Sequence, residues 1–321
     1  MSRSAKVENK SRREFLVKGA MASMGLIMPG STTWPGKFFH QGKPQSKFSG
    51  VQVGVITYSY RSMPGNVEQL LQYIAESGIS AIELMGDAVE AFAGKPDKKD
   101  YSAGYEKVVA EWRAKVSMDK FEAIKKMYND AGITIYAFKP DALGKKNTDA
   151  EIDYALRAAK ALGARSVTTE LTADSQQTKR LGDLGAKHKI FIGYHAHTQA
   201  TDTAWDSALE QSEYNSMNLD CGHYIAAGGN NTKESLLALI EAKHDRITSM
   251  HLKDRKTKAN GGENQPWGQG DTPIKEILTL LKEKKYAIPA SIELEYDIPS
   301  GSDAVKETKK CMQFAKAALE A

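Results

Sequence analysis

The chain has 321 residues, 41% of them hydrophobic and 26% charged, which is enough to bury one large core and unlike a disordered or collagen-type composition. Its net charge of +4 is local: Arg3, Lys6, Lys10, Arg12, Arg13 and Lys18 outweigh Glu8 and Glu14 near the N-terminus, and the remainder balances. A neutral body without a basic and aromatic stripe argues against nucleic acid as a partner. Two cysteines, Cys221 and Cys311, make no disulfide framework and are expected as buried small groups.

In chain order, residues 1–36 read as an export signal. Ser11-Arg12-Arg13-Glu14-Phe15-Leu16 matches the twin-arginine pattern, and the weakly apolar run Gly19 to Met28 falls well short of the roughly 18 residues needed to span a bilayer. The expected location is therefore the periplasm or beyond, with no stable membrane insertion. Residues 37–50, with Pro44 and scattered glycine, read as a linker.

From residue 51 to 321 strand and helix signals alternate. The expected strands are Val51 to Tyr58, Ala81 to Met85, Thr134 to Phe138, Ser166 to Glu170, Phe191 to His195, Met217 to Asp220, Ile247 to Leu252 and Ala290 to Leu294. Between and after them, amphipathic stretches start near Val67, Phe121, Ile152, Gln177, Thr203, Lys233, Ile274 and Ala304, several closing on glycine. Eight alternations in about 270 residues predict an α/β single domain, a (β/α)₈ TIM barrel. No GxGxxG follows the first strand, which disfavours an open dinucleotide-binding sheet. Asp87 to Ser117 is extra length after the second strand, expected to include a helix near Tyr105 to Trp112 and to overhang the barrel mouth as a lid.

Four of these strands end in side chains that bind metals: VTTEL at Glu170, MNLDCGHY at Asp220, SMHLKD at His251 and SIELEY at Glu293. A barrel gathers strand C-termini at one face, so Glu170, Asp220, His251 and Glu293 are expected around one centre. Three carboxylates that close would repel one another, and a divalent cation is the simplest compensation. Oxygen-rich ligation with one imidazole favours Mn²⁺, with Mg²⁺, Co²⁺ or Zn²⁺ as alternatives. Glu295, two residues beyond Glu293, is the alternative fourth ligand.

The motifs DxxH at Asp220 to His223, HLKD at His251 to Asp254, the Glu-x-Glu of the last strand, YHAH at Tyr194 to His197 and WGQGD at Trp267 to Asp271 together resemble the xylose-isomerase-like TIM-barrel superfamily of sugar phosphate isomerases and epimerases. The resemblance covers residues 51 to 321. It implies a metal on strand-end Glu, Asp, His and Glu that binds vicinal substrate oxygens while a nearby base moves a proton. One position departs from the pattern: ketose 3-epimerases carry a metal-binding Glu on the fifth strand, where this chain has His195, as dehydratase-like relatives with His-x-His do.

The remaining polar residues take roles from their chemistry. His195 and His197 are candidate general bases, Lys253 a candidate holder of an oxyanion, and Glu293 a candidate catalytic carboxylate as well as ligand. His223, Trp267 and Tyr58 are expected substrate contacts, the aromatics by stacking on a sugar face. The expected activity is proton abstraction next to a carbonyl on a small carbohydrate, giving isomerisation or epimerisation. Cleavage of a 3-keto-glycoside, or elimination as in inosose dehydratases, is the alternative, and a barrel that binds sugar without turnover is a second. Neither a glycine-rich phosphate cradle nor an arginine cluster stands at the strand ends, so a non-phosphorylated substrate is expected.

Overall fold

The computed structural model describes residues 42–321; the expected export segment lies outside the described residues. Eight parallel strands close into a barrel: β1 (Val51–Ile56), β2 (Ala81–Met85), β3 (Thr134–Lys139), β4 (Ser166–Glu170), β5 (Phe191–His195), β6 (Asn215–Asp220), β7 (Ile247–Leu252) and β8 (Ala290–Ile292). Closure is carried by β1, which pairs with β8 through Ala290 opposite Val53 and with β2 through Val55 opposite Ile82. Every expected strand is present. The first is shorter than expected, because residues 57–60 turn into a 3₁₀ helix.

The helices are α1 (Val67–Glu76), α2 (Gly86–Phe92), α3 (Tyr105–Lys115), α4 (Asp119–Asp130), α5 (Asp149–Leu162), α6 (Ser175–His188), α7 (Asp206–Gln211), α8 (Cys221–Ala227), α9 (Lys233–Lys243), α10 (Ile274–Lys284) and α11 (Ala304–Glu320). Their starts follow from side chains that satisfy the free N–H groups of a first turn. Asn66 accepts from Gln69 N before α1 and Thr148 accepts from Glu151 N before α5, each answered by the return bond of a capping box. Gly163 stops α5 in the left-handed conformation at φ 81°. The faces turned inward, such as Leu70, Leu71 and Ile74 of α1 or Ile277, Leu278 and Leu281 of α10, are buried against apolar strand residues in one continuous core. Cys221 and Cys311 are buried free thiols, as expected.

One expectation is corrected by packing. Residues 43–50 are part of the barrel unit rather than a linker: Lys47–Phe48 pairs antiparallel with Val51 and Gln52. The buried Ser46 hydroxyl donates to Val53 O at 2.6 Å and accepts from Ser80 N at 2.9 Å. Glycine, proline and serine read as a linker because composition does not reveal where backbone groups find partners. The insertion after β2 contains the expected helix and is fastened to α5. Arg113 of α3 donates to both Glu90 oxygens of α2 at 3.0 and 3.2 Å and to Glu151 of α5 at 3.2 Å, while Trp112 meets Tyr154 edge-on at 5.7 Å. Arg113 and Glu90 are buried, and breaking such a pair is far costlier than breaking a surface one.

Candidate active site

The strand register brings the site together. Asp220 stands beside His251 across β6 and β7, and His195 stands beside Asn218 across β5 and β6. Asp220 does two jobs. Its Oδ1 accepts from His223 N at 2.6 Å and caps α8, which turns the chain sharply and leaves His223 buried at the mouth. Its Oδ2 remains directed into the site. Gly222 is needed for close approach rather than for an unusual turn: a Cβ there would meet the backbone oxygen of Lys253 at 2.6 Å.

Glu83, in the middle of β2 and fully buried, organises the interior. It accepts hydrogen bonds from Thr168 Oγ1 at 2.6 Å, Asn218 Nδ2 at 3.0 Å and His251 Nε2 at 2.8 Å. Two consequences follow for the histidines. His251 donates its Nε2 proton to Glu83 while Nδ1 faces the centre; burial opposes its charge, but Glu293 and Glu83 outweigh that cost and push its pKa up to about 10, so Nδ1 offers a lone pair to a cation only by releasing a proton. Asn218 donates its amide to Glu83 and to Ser249 Oγ at 2.8 Å, so its Oδ1 must accept from His195 Nδ1 at 3.0 Å. The free lone pair of His195 is then on Nε2, 3.9 Å from Asp220 Oδ2.

The ligand atoms converge. His195, Asp220 and His251 each offer a ligand atom, all within 4.8 Å of one another, and Glu293 Oε2 lies 3.1 Å from His251 Nδ1. Asp220 Oδ2, His251 Nδ1 and Glu293 Oε2 are among the few buried side-chain atoms in the described residues without a hydrogen-bond partner. Lys253 Nζ lies 3.0 Å from Asp220 Oδ2 and 2.7 Å from Glu293 Oε2, yet its hydrogen bond goes to Glu295 Oε2 at 2.7 Å. Three carboxylates, those of Asp220, Glu293 and Glu295, thus face one ammonium. The neutral His195 ring with its fixed tautomer, a His251 Nδ1 that a cation can free of its proton, and converging carboxylate oxygens fit a divalent cation.

The titrations express the same crowding. Burial pushes Asp220 up to about 6, partly countered by Lys253. Burial also opposes ionisation of Glu293, but His251 and Lys253 outweigh it and hold Glu293 well below the usual carboxylate range. Burial and the neighbouring His251 and Lys139 push His195 well below the usual imidazole range, so it is neutral at pH 7. Lys253 is raised, because Asp220, Glu293 and Glu295 outweigh the cost of burying it.

Of the expected ligands, Asp220, His251 and Glu293 are brought together and Glu170 is not. Glu170 is half exposed at the rim, where Lys139 donates to it at 2.8 Å and His197 Nε2 lies 3.4 Å away. Lys139 ends the adjacent strand β3, and this nearer cation holds the carboxylate out of the centre. His195 stands in the place assigned to Glu170. Between the two candidate carboxylates, Glu293 supplies the buried oxygen and Glu295 anchors Lys253.

His195 and His197 diverge in environment, the first buried and the second exposed, with ring centroids 5.0 Å apart. Tyr58 is exposed beyond β1 with the Arg61 guanidinium 4.4 Å over its ring. Trp267 packs edge-on against Phe314 of α11 at 5.8 Å, and the loop that carries it is fastened by Asp254. That carboxylate accepts from Gly268 N at 2.7 Å, Gly270 N at 2.9 Å and Thr272 N at 3.2 Å, which explains the Asp of HLKD and the glycines of WGQGD as one structural unit.

Comparison with known proteins agrees with this architecture. The family model described as "Xylose isomerase-like TIM barrel" matches residues 71–317. An inosose isomerase of Halalkalibacterium halodurans is 29% identical over 157 residues, 45% of this chain; the match spans about half (52%) of that relative. Two solved structures share the fold. A sugar phosphate isomerase/epimerase from Parabacteroides distasonis superposes with a TM-score of 0.59 at 18% identity, covering 86% of this chain and 97% of that one. A probable 3-DHS dehydratase from Bacillus anthracis gives 0.59 at 16% identity, covering 82% and 98%. With a family model matched over most of its length and the closed eight-stranded barrel that the model describes, the chain belongs to the xylose isomerase-like TIM barrel family.

Proposed function

We propose that the protein is a divalent-metal-dependent enzyme that abstracts a proton next to a carbonyl on a non-phosphorylated carbohydrate and returns it as an isomerase or epimerase does. The observation that carries this reading is the set of converging, unpartnered atoms: Asp220 Oδ2, His251 Nδ1 and Glu293 Oε2, with His195 Nε2 beside them. These residues would hold the metal, Mn²⁺ being favoured now as before, although a second imidazole makes Zn²⁺ and Co²⁺ stronger competitors. When bound, the cation would polarise the substrate carbonyl and offset the charge that develops on its oxygen.

The chain's own groups divide the remaining work. His195 has its free Nε2 assigned to the metal, which leaves His197 at the rim as the candidate base, with Glu170 3.4 Å away to orient it and balance its proton. Lys253 and His223, whose ring lies 4.6 Å from that of His197, supply donors for the oxygen that becomes negative. A second reading, elimination of water from an inosose-like substrate, is favoured by one observation. The fifth strand presents His195 where an epimerase of this type needs a second acidic group.

Solvent-deuterium exchange tests the reading. Metal-loaded protein incubated in deuterium oxide with ketoses, inososes and 3-keto-glycosides is expected to label one of them at the carbon beside its carbonyl, with elimination distinguished by loss of water from the mass. Tight binding of these sugars without label in any of them would instead indicate a sugar-binding barrel. The reading includes export by the twin-arginine route. Changing Arg12 and Arg13 together to Lys is expected to retain the protein in the cytoplasm with an unchanged melting temperature, and normal export of that variant, followed by cell fractionation, would contradict it.

A further inference from the structure

His223 is held in an unusual setting. Arg255 Nη1 lies 2.5 Å from its Nδ1, and Lys253 Nζ lies 3.0 Å from its Nε2. A neutral imidazole has one lone pair and one N–H, so the two cationic neighbours cannot both be accepted. Both neighbours can only donate, but Lys253 has carboxylate oxygens of Asp220, Glu293 and Glu295 within 3.0 Å to take its protons, whereas Arg255 Nη1 makes the closer approach to the ring, 2.5 Å from Nδ1. Arg255 is also fixed in place, its Nε and Nη2 donating to Gly262 O at 3.0 and 2.5 Å. Nδ1 must therefore be the acceptor, and the ring proton must be on Nε2, the nitrogen that faces Lys253 and the site.

We propose that Arg255 is a positioning residue that locks His223 as the neutral Nε2–H tautomer, so that His223 and Lys253 present two adjacent donors to a single substrate oxygen. This rests on the proposed carbonyl chemistry, which requires donors where negative charge develops. The two donors stand 3.0 Å apart without being able to satisfy each other. The carboxylate oxygen that comes near both, Glu295 Oε2, is 2.7 Å from Lys253 but 3.9 Å from His223 Nε2, too far for a hydrogen bond to the imidazole. An oxygen that bridges both nitrogens is what the arrangement lacks. A protonated histidine would risk giving up its proton to that oxygen, whereas a neutral imidazole stabilises the charge and keeps the proton.

The tautomer can be read directly by nitrogen-15 NMR of full-length protein labelled at histidine, with the His223 signals identified by their loss in His223→Gln. The unmodified protein is expected to show an Nε2–H ring with Nδ1 as a hydrogen-bonded acceptor at neutral pH. Arg255→Met should shift His223 to a mixture of tautomers and lower the rate of deuterium exchange at saturating substrate by roughly 10–100-fold, the usual effect of losing a partner that orients a functional side chain. Metal content and KM should change little. Arg255→Lys should restore the tautomer and part of the rate. An Nδ1–H ring in the unmodified protein, or an unchanged tautomer in Arg255→Met, would overturn the proposal. The NMR signature requires no turnover, so absence of exchange in every form would count against the reaction class and leave the tautomer test to stand separately.

Discussion

Replacing Asp220 with Asn is expected to lower the affinity for Mn²⁺ by more than about 100-fold and to bring turnover to background. The substitution is chosen because it separates the two jobs of this side chain. Asn is as good an N-cap as Asp, so its oxygen can still accept from His223 N and start α8. What disappears is the anionic Oδ2 beside His251 and Glu293. Removing an orienting partner of a ligand already costs roughly 10–100-fold, and loss of a ligand charge should exceed that. The metal-free protein should not be destabilised. Burial raises the folded pKa of Asp220 to about 6, above its ordinary value of 3.8, so its ionised form opposes folding at neutral pH and a neutral amide removes that cost. Calorimetric titration and melts in chelator read both quantities. Unchanged Mn²⁺ affinity would remove Asp220 from the site, and a large fall in the metal-free melting temperature would mean that the cap had failed.

The second large effect is expected at Glu83, which no titration in solution would single out. Glu83→Leu leaves Thr168 Oγ1, Asn218 Nδ2 and His251 Nε2 as buried donors without an acceptor. Breaking a buried charged pair in this way costs about 3–5 kcal/mol, and the melting temperature should fall on the order of 10 °C. Glu83→Gln is milder and more informative. The amide keeps the shape, since its N–H can donate to the Thr168 hydroxyl while its oxygen still accepts from Asn218 and His251, so what is lost is the negative charge that makes His251 a more basic ligand. A drop in Mn²⁺ affinity of roughly 10–100-fold with most stability retained is the expected result. Stability loss in Glu83→Gln as large as in Glu83→Leu, with metal affinity intact, would reduce Glu83 to a packing residue.

Glu83 also shows where the sequence was legible and where it was not. Asp220, His251 and Glu293 could be read because each follows an apolar strand signal at the end the barrel makes its active face. Glu83 carries the same signal: Ile82-Glu83-Leu84 repeats Ile292-Glu293-Leu294, and a glutamate inside a strand buried on both sides demands a partner. It was passed over because it precedes the strand end by two residues. Glu170 met the positional rule and still faces elsewhere, since strand position fixes where a side chain starts and a neighbouring charge, here Lys139, decides where a flexible carboxylate goes. Arg255 offered no signal at all. Its place depends on a two-residue pairing with Asn264 that periodicity cannot reveal. The barrel itself was legible because eight alternations of strand and helix leave few other solutions, whereas the anchoring of residues 43–50 and of the insertion depends on single polar contacts, Ser46 with Ser80 and Arg113 with Glu90.

The claim on which the functional reading depends is that the metal centre is built from His195, Asp220, His251 and Glu293, with Glu170 left at the rim. Titration of Mn²⁺ into chelator-treated His195→Gln protein, with Glu170→Gln run beside it, tests that claim most directly. The fixed lone pair on His195 Nε2 and its position near Asp220 Oδ2 predict about a 100-fold loss of affinity in His195→Gln. Glu170→Gln, whose carboxylate is already paired with Lys139, should bind one Mn²⁺ per chain within about twofold of the unmodified protein. Unmodified affinity in His195→Gln together with loss of binding in Glu170→Gln would place the fourth ligand on β4 and contradict the site as described.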